Sequence, residues 1–116
     1  MRSYTGIVQK GTKRAAALGF PTVNIALPDA DVSGVYAARV AVDGRDFLAV
    51  AFADKKRKVL EAHVFDFSGL LYGKEITVTL CEKIREDTRF EGDAALRAAI
   101  ADDVAKVRDH FRAKTG

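Results

Sequence analysis

Apolar and polar positions alternate along most of this chain, and the period lengthens near its end. The stretch "KVLEAHVFDF" (58–67) sets Leu60, Ala62 and Val64 on one face and Val59, Glu61, His63 and Phe65 on the other, the two-residue period of a strand. "VYAARVAV" (35–42) alternates as well, and Asp43-Gly44 joins it to "RDFLAVAF", the strongest short hairpin signal in the chain. "KEITVTLCEKI" (74–84) is a long run rich in β-branched residues. "YTGIVQ" (4–9) and residues 20–26 supply two shorter strands. A polar loop containing Gly11 and running through Ala17 lies between them, and "PDADVSG" (28–34) follows as a second loop. Past "REDTRFEGD", Leu96, Ile100, Val104, Val107 and Phe111 recur as one face of a helix. That helix is expected to start at Asp93 as N-cap and end near Ala113, with Asp102 and Asp103 facing water beside Arg97 and Lys106. About six strands followed by one helix imply a closed barrel or sandwich capped by the helix. No βα alternation and no GxxxxGK[ST] motif occur, which excludes Rossmann and P-loop frames.

Composition narrows the class without naming a chemistry. The 116 residues suffice for one domain with one core, and 48% hydrophobic with 30% charged residues is ordinary for a globular protein. No apolar run is long enough to span a membrane, and "MRSYTGIVQKG" has no secretory core, so no membrane partner and a cytoplasmic location are expected. Cys81 excludes an internal disulfide and reads as a small buried hydrophobe. A net charge of +3 is too small to imply a nucleic-acid partner, although "KGTKR" and "DKKRK" are locally basic. The second of these is either a charged hairpin tip or a phosphate contact. With His63 and His110 the only histidines, there is no Cys/His metal motif, and no coiled-coil seam argues against a monomer.

One stretch resists the simple reading. "LGFPTVNI" (18–25) is otherwise a good strand, yet it contains Pro21, Thr22 and Asn24. Proline removes a backbone donor, so it sits badly in a central strand. Thr22 and Asn24, two apart on a strand, share a face and set a hydroxyl beside an amide oxygen. They are either a solvated edge pair or two hard, neutral oxygen ligands. Glu61, between apolar neighbours, is either salt-bridged or a general base whose basicity is raised by burial. His63 shares its face, as a partly buried core histidine or a catalyst. Arg85 and Arg89 can bind phosphate or carboxylate, and Phe90 can stack on a flat ligand or anchor its loop.

Taken in order, "GIVQKG", "LGFPTVNI", "GVYAARV", "EAHVFDFSGLLYGKEI" and "IREDTRFEGDAALRAAIADDV" resemble the riboflavin kinase family, from about Tyr4 to Phe111. The pair LGFPTxN and E-x-H-x-x-D-F-x-x-x-L-Y-G carries most of the specificity. The resemblance implies a six-stranded antiparallel Greek-key β-barrel with a C-terminal helix: barrel about 4–84, flap 85–92, helix about 93–113. It implies transfer of the γ-phosphate of ATP to the ribityl hydroxyl of riboflavin, giving FMN and ADP with Mg²⁺ or another divalent ion. Residue by residue, it implies Thr22 and Asn24 as metal and phosphate ligands and Glu61 as the base. It further implies Arg85, Glu86 and Phe90 in the flap over the flavin, and Gly11 in the loop over the ATP phosphates.

Three departures from the family pattern bear on activity. Ala15 and Ala16 stand where a Gly-Arg pair is common, leaving Lys13 or Arg14 to compensate. "AFADKKRKVLE" lacks the usual Pro-Thr segment. No nucleotidyltransferase domain precedes the barrel, so FAD synthesis is not expected of this chain. The alternatives to a kinase are a catalytically silent flavin- or nucleotide-binding module on the same barrel, and a nucleic-acid-binding barrel acting through Lys10, Lys13, Lys55, Lys56 and Arg57.

Overall fold

A computed structural model describes residues 1–10, 14–67 and 71–115. The elements in chain order are β1 (Arg2–Ile7), α1 (Arg14–Ala17), β2 (Val23–Ala26), β3 (Gly34–Val42), β4 (Arg45–Asp54), β5 (Val59–Val64), β6 (Glu75–Arg85) and α2 (Asp93–Thr115). All strand pairs are antiparallel, in the order β1-β6-β3-β4-β5-β2. Strands β3, β4 and β5 follow one another as hairpins and β6 returns beside β3, which is the Greek-key connection. The outermost strands meet where the Gln9 amide donates to the Asn24 carbonyl at 2.8 Å, so the sheet nearly closes on itself. The expected Greek-key barrel with a terminal helix is the fold this chain adopts.

Alternation builds two cores on opposite sides of one sheet. On β4, Ala49, Ala51 and Ala53 point inward, leaving room for the larger interior side chains of the neighbouring strands. Leu48, Val50 and Phe52 point outward, toward Val104, Val107 and Phe111 of α2. The interior is completed by Ile25, Val40, Leu60, Ile76 and Val78. Asp43 and Gly44, at φ 50° and 77°, form the two-residue turn between β3 and β4, the geometry that matches strand twist. The β3–β6 register shifts twice, skipping Cys81 and Ile84, and both residues pack on the helix side. Such bulges tighten the local twist and bend β6 around the barrel.

Several sequence expectations need correction. Strand β1 begins and ends two residues earlier than the alternation suggests. The loop expected before Leu18 contains a helical turn, α1, made of Arg14 and three alanines. Residues 20–22 precede β2 rather than belonging to it. At the start of α2 the Gly92 carbonyl accepts from Leu96, so Gly92 and not Asp93 occupies the cap position. Asp103 does not face water: it is 0% exposed. Cys81 is partly buried against the helix-side core, close to its expected setting.

Candidate active site

The strand register aligns one residue from each of five strands on the outer face of the barrel. Asn24 pairs with Glu61, Glu61 with Phe52, Phe52 with Val35, and Val35 with Arg85. Directly opposed residues share a face, and strands about 4.8 Å apart give this row a span of roughly 19 Å. Its two ends are the polar residues Asn24 and Arg85, with Glu61 next to Asn24.

A cavity of about 220 Å³ opens over the Glu61, Phe52, Val35 and Arg85 part of this row; Asn24 lies beyond its lining. Glu61, Phe52 and Val35 form its floor; Asp54, Arg57 and Ala15 stand at one end, and Arg85, Asp87, Thr88 and Phe90 at the other. The Glu61 side chain is only 20% exposed. Burial pushes its carboxyl above the ordinary glutamate range; the Arg57 guanidinium opposes that rise and Asp54 adds to it. The Arg57 guanidinium lies 3.9 Å from Glu61 and 3.6 Å from Asp54, near enough for attraction but beyond hydrogen-bond length. Asp54 also accepts from the Arg57 backbone amide at 3.0 Å, which caps the β4–β5 turn. The basic "DKKRK" segment is thus a hairpin tip, with Asp54 and Arg57 on the cavity wall.

The stretch that resisted the simple reading has a local explanation. The Gly19 amide donates to Ala16 and the Phe20 amide to Ala15, the paired bonds of a Schellman cap. Gly19, at φ 97°, occupies the left-handed position that this cap requires. Pro21 then prevents the helix from resuming and directs the chain into β2. Thr22 is partly buried one residue before the first β2 ladder pair, and Asn24 is 3% exposed within it. Asn24 lies beside Glu61 by register; Thr22 stands at the entry to the strand.

The flap end is held by a buried ion pair. Arg85 donates from Nε and Nη2 to the two oxygens of Asp103, both at 2.8 Å, in a bidentate arrangement. Its Nη1 donates to the Glu86 carbonyl at 3.1 Å, and its guanidinium lies 5.3 Å from the centre of the Phe90 ring. Arg85 therefore joins β6, the flap and α2 at one point. Gly34 makes this possible: at φ 101°, a Cβ there would stand 2.7 Å from the Arg85 carbonyl oxygen.

Of the residues expected at the site, Glu61, Arg85 and Phe90 line the cavity, and Asn24 is aligned with Glu61. Glu86 turns away: it is 76% exposed and its carboxylate meets the Lys83 ammonium at 2.8 Å. Asp87 and Thr88 line the cavity in its place. Gly11 and Lys13 lie outside the described residues. Sequence reasoning missed Asp103, which sits three residues after Ile100 and four before Val107, and so belongs to the helix's apolar face.

Barrel, flap and capping helix together define a flavokinase-type domain. The family model described as riboflavin kinase matches residues 2–111, and this chain belongs to that family. It is 39% identical over 112 residues to the bifunctional riboflavin kinase/FMN adenylyltransferase of Pseudomonas fluorescens, covering 89% of this chain and 36% of that protein. This chain therefore spans little more than a third of that relative's length. Among solved structures it resembles a macrolide-efflux protein from Streptococcus pneumoniae, with TM-score 0.76 and 26% identity over 91% of this chain and 36% of that one. It shares the fold of the riboflavin kinase from Trypanosoma brucei, with TM-score 0.66 and 23% identity over 95% of this chain and 79% of that one. Among the described residues, no helix is long and apolar enough to cross a membrane.

Proposed function

We propose that this chain is a riboflavin kinase, transferring the γ-phosphate of ATP to the 5′-hydroxyl of the ribityl chain of riboflavin to give FMN and ADP. The observation that carries this reading is Glu61: a half-buried carboxylate of raised basicity, one strand away from Asn24 and on the floor of the flap cavity. In this account the flavin ring lies at the flap end against Phe90 and the ribityl chain runs toward Glu61. Glu61 accepts the hydroxyl proton as the oxygen–phosphorus bond forms and the bond to ADP breaks; the proton then passes to solvent. A carboxylate poised above its ordinary range is suited to that transfer.

Asn24, paired with Glu61 in the ladder, and Thr22, at the entry to the strand, carry hard, neutral oxygens, a donor set that fits a small hard cation completing its shell with phosphate oxygens. They would hold Mg²⁺, which supplies charge neutralisation on the ATP phosphates. What the chain itself contributes is alignment. The register fixes Asn24 against Glu61, so that the reacting groups are held on one rigid sheet. Arg85 serves mainly to hold Phe90 and the flap, since its strongest donors are already engaged by Asp103.

One observation favours the silent module: α1 builds the segment before LGFPT from alanines, and Ala15 brings a methyl group to the cavity wall. Chromatography of riboflavin, ATP and Mg²⁺ incubated with the purified chain separates the readings. The kinase yields FMN; the module quenches riboflavin fluorescence and yields none.

A further inference from the structure

The mechanism above makes no use of His63, which lies two residues from Glu61 on the same outer face. Its Nδ1 is 2.8 Å from the Pro21 carbonyl oxygen. A carbonyl can only accept, so Nδ1 carries the proton and the imidazole is the donor. The ring is wedged edge-on between Phe20 at 5.6 Å and Phe65 at 5.8 Å. Phe65 is itself buried beneath α2, so the imidazole has a rigid footing. Pro21 has no amide hydrogen with which to join the β2 ladder, and its carbonyl is tied to His63 instead. Thr22 is thus bracketed: the His63 bond fixes Pro21 on one side, and the Val23–Ala62 pair fixes the other. Asn24 needs no such help, since it pairs with Glu61 and bridges Gln9 through its backbone.

We propose that His63 is a positioning residue that sets Thr22 for the metal–phosphate end of the site by donating from Nδ1 to the Pro21 carbonyl. The proposal rests on the reading of Thr22 given above. It separates His63 from a simple space-filling role because two substitutions divide the ring from the donor. His63→Phe keeps a ring between Phe20 and Phe65 and loses the donor. His63→Asn loses the ring but places an amide N–H where Nδ1 stood.

The test measures KM for MgATP, KM for riboflavin, kcat and Tm for H63F, H63N, T22V and the H63F/T22V double variant. H63F is expected to raise the KM for MgATP about tenfold, the usual scale for a lost positioning hydrogen bond, while the riboflavin KM stays unchanged. H63N is expected to stay within about threefold of wild type, and the double variant to be no worse than T22V. A harmless H63F, an H63N worse than H63F, or effects of H63F and T22V that simply multiply would each overturn the proposal while leaving the Thr22 reading intact. Wild-type constants for T22V would instead remove the reading of Thr22, and His63's route with it.

Discussion

The buried pair between Arg85 and Asp103 allows a stability prediction with a defined size. Asp103 is 1% exposed at its side chain and Arg85 22%, and both Asp103 oxygens are engaged at 2.8 Å. Asp103→Ala leaves the guanidinium half-buried without its counter-charge. Breaking a buried pair from one side costs about 3–5 kcal/mol. Arg85 keeps some access to water and its bond to the Glu86 carbonyl, so the low end, about 3 kcal/mol, applies. For a domain near this size, that corresponds to a fall of about 12 °C in Tm. Replacing both partners with apolar side chains, Arg85→Met with Asp103→Leu, removes the charge and its desolvation cost together. That variant should melt within about 1 kcal/mol of wild type. Its KM for riboflavin should nevertheless rise, because Phe90 loses the guanidinium that lies over its ring. Thermal and urea melts of the three proteins at neutral pH provide the assay. A loss below about 1 kcal/mol in Asp103→Ala, the range of an exposed pair, would refute the claim that this contact joins helix, flap and barrel.

The remaining predictions follow from the surroundings of Glu61 and from one glycine. Arg57→Gln removes the charge that holds the Glu61 carboxyl down, so the acid limb of kcat should move to higher pH; Asp54→Asn should move it lower, and both shifts should shrink with added salt. Equal or inverted shifts in the pH–rate profiles would contradict the electrostatic assignment. Because burial raises the Glu61 carboxyl in the folded state, the folded protein binds that proton more tightly than the unfolded chain. Its contribution to stability therefore falls as pH rises from the ordinary glutamate range through the raised value. Glu61→Gln should accordingly melt higher than wild type at neutral pH, with a flatter dependence of Tm on pH, even as turnover is lost. Gly34→Ala forces a Cβ against the Arg85 carbonyl at positive φ and should cost more than about 2 kcal/mol in a urea melt.

The strands were legible because alternation is a local signal: residues 58–65 divide cleanly into inner Leu60, Ala62 and Val64 and outer Glu61 and His63. The Asp43-Gly44 turn was equally plain. Strand order was not, and with it went the adjacency of Asn24 and Glu61. That adjacency depends on β2 pairing with β5, two strands far apart in sequence. The turn α1 could have been read from three alanines followed by Leu-Gly-Phe-Pro, a helix former, a left-handed cap and a stop; beside a basic loop it looked like more loop. Asp103 exposes the limit of assigning charges to the surface. Its spacing placed it on the apolar stripe, but the cation that makes burial tolerable lies 18 residues earlier on another element. Glu86 shows the converse, a residue inside a family-like motif whose side chain is drawn to Lys83 and away from the cavity.

The central claim is that Glu61 takes the ribityl proton during phosphoryl transfer in this cavity. Its most direct test is FMN formation from riboflavin, ATP and Mg²⁺ by the purified chain, beside Glu61→Gln, with riboflavin binding followed by fluorescence quenching in both. The account predicts FMN from the wild type, at least a hundredfold less from Glu61→Gln, and equal quenching by the two. FMN produced at the same rate by Glu61→Gln would contradict the role given to that carboxylate. No FMN from a wild-type chain that still quenches riboflavin would contradict the kinase itself.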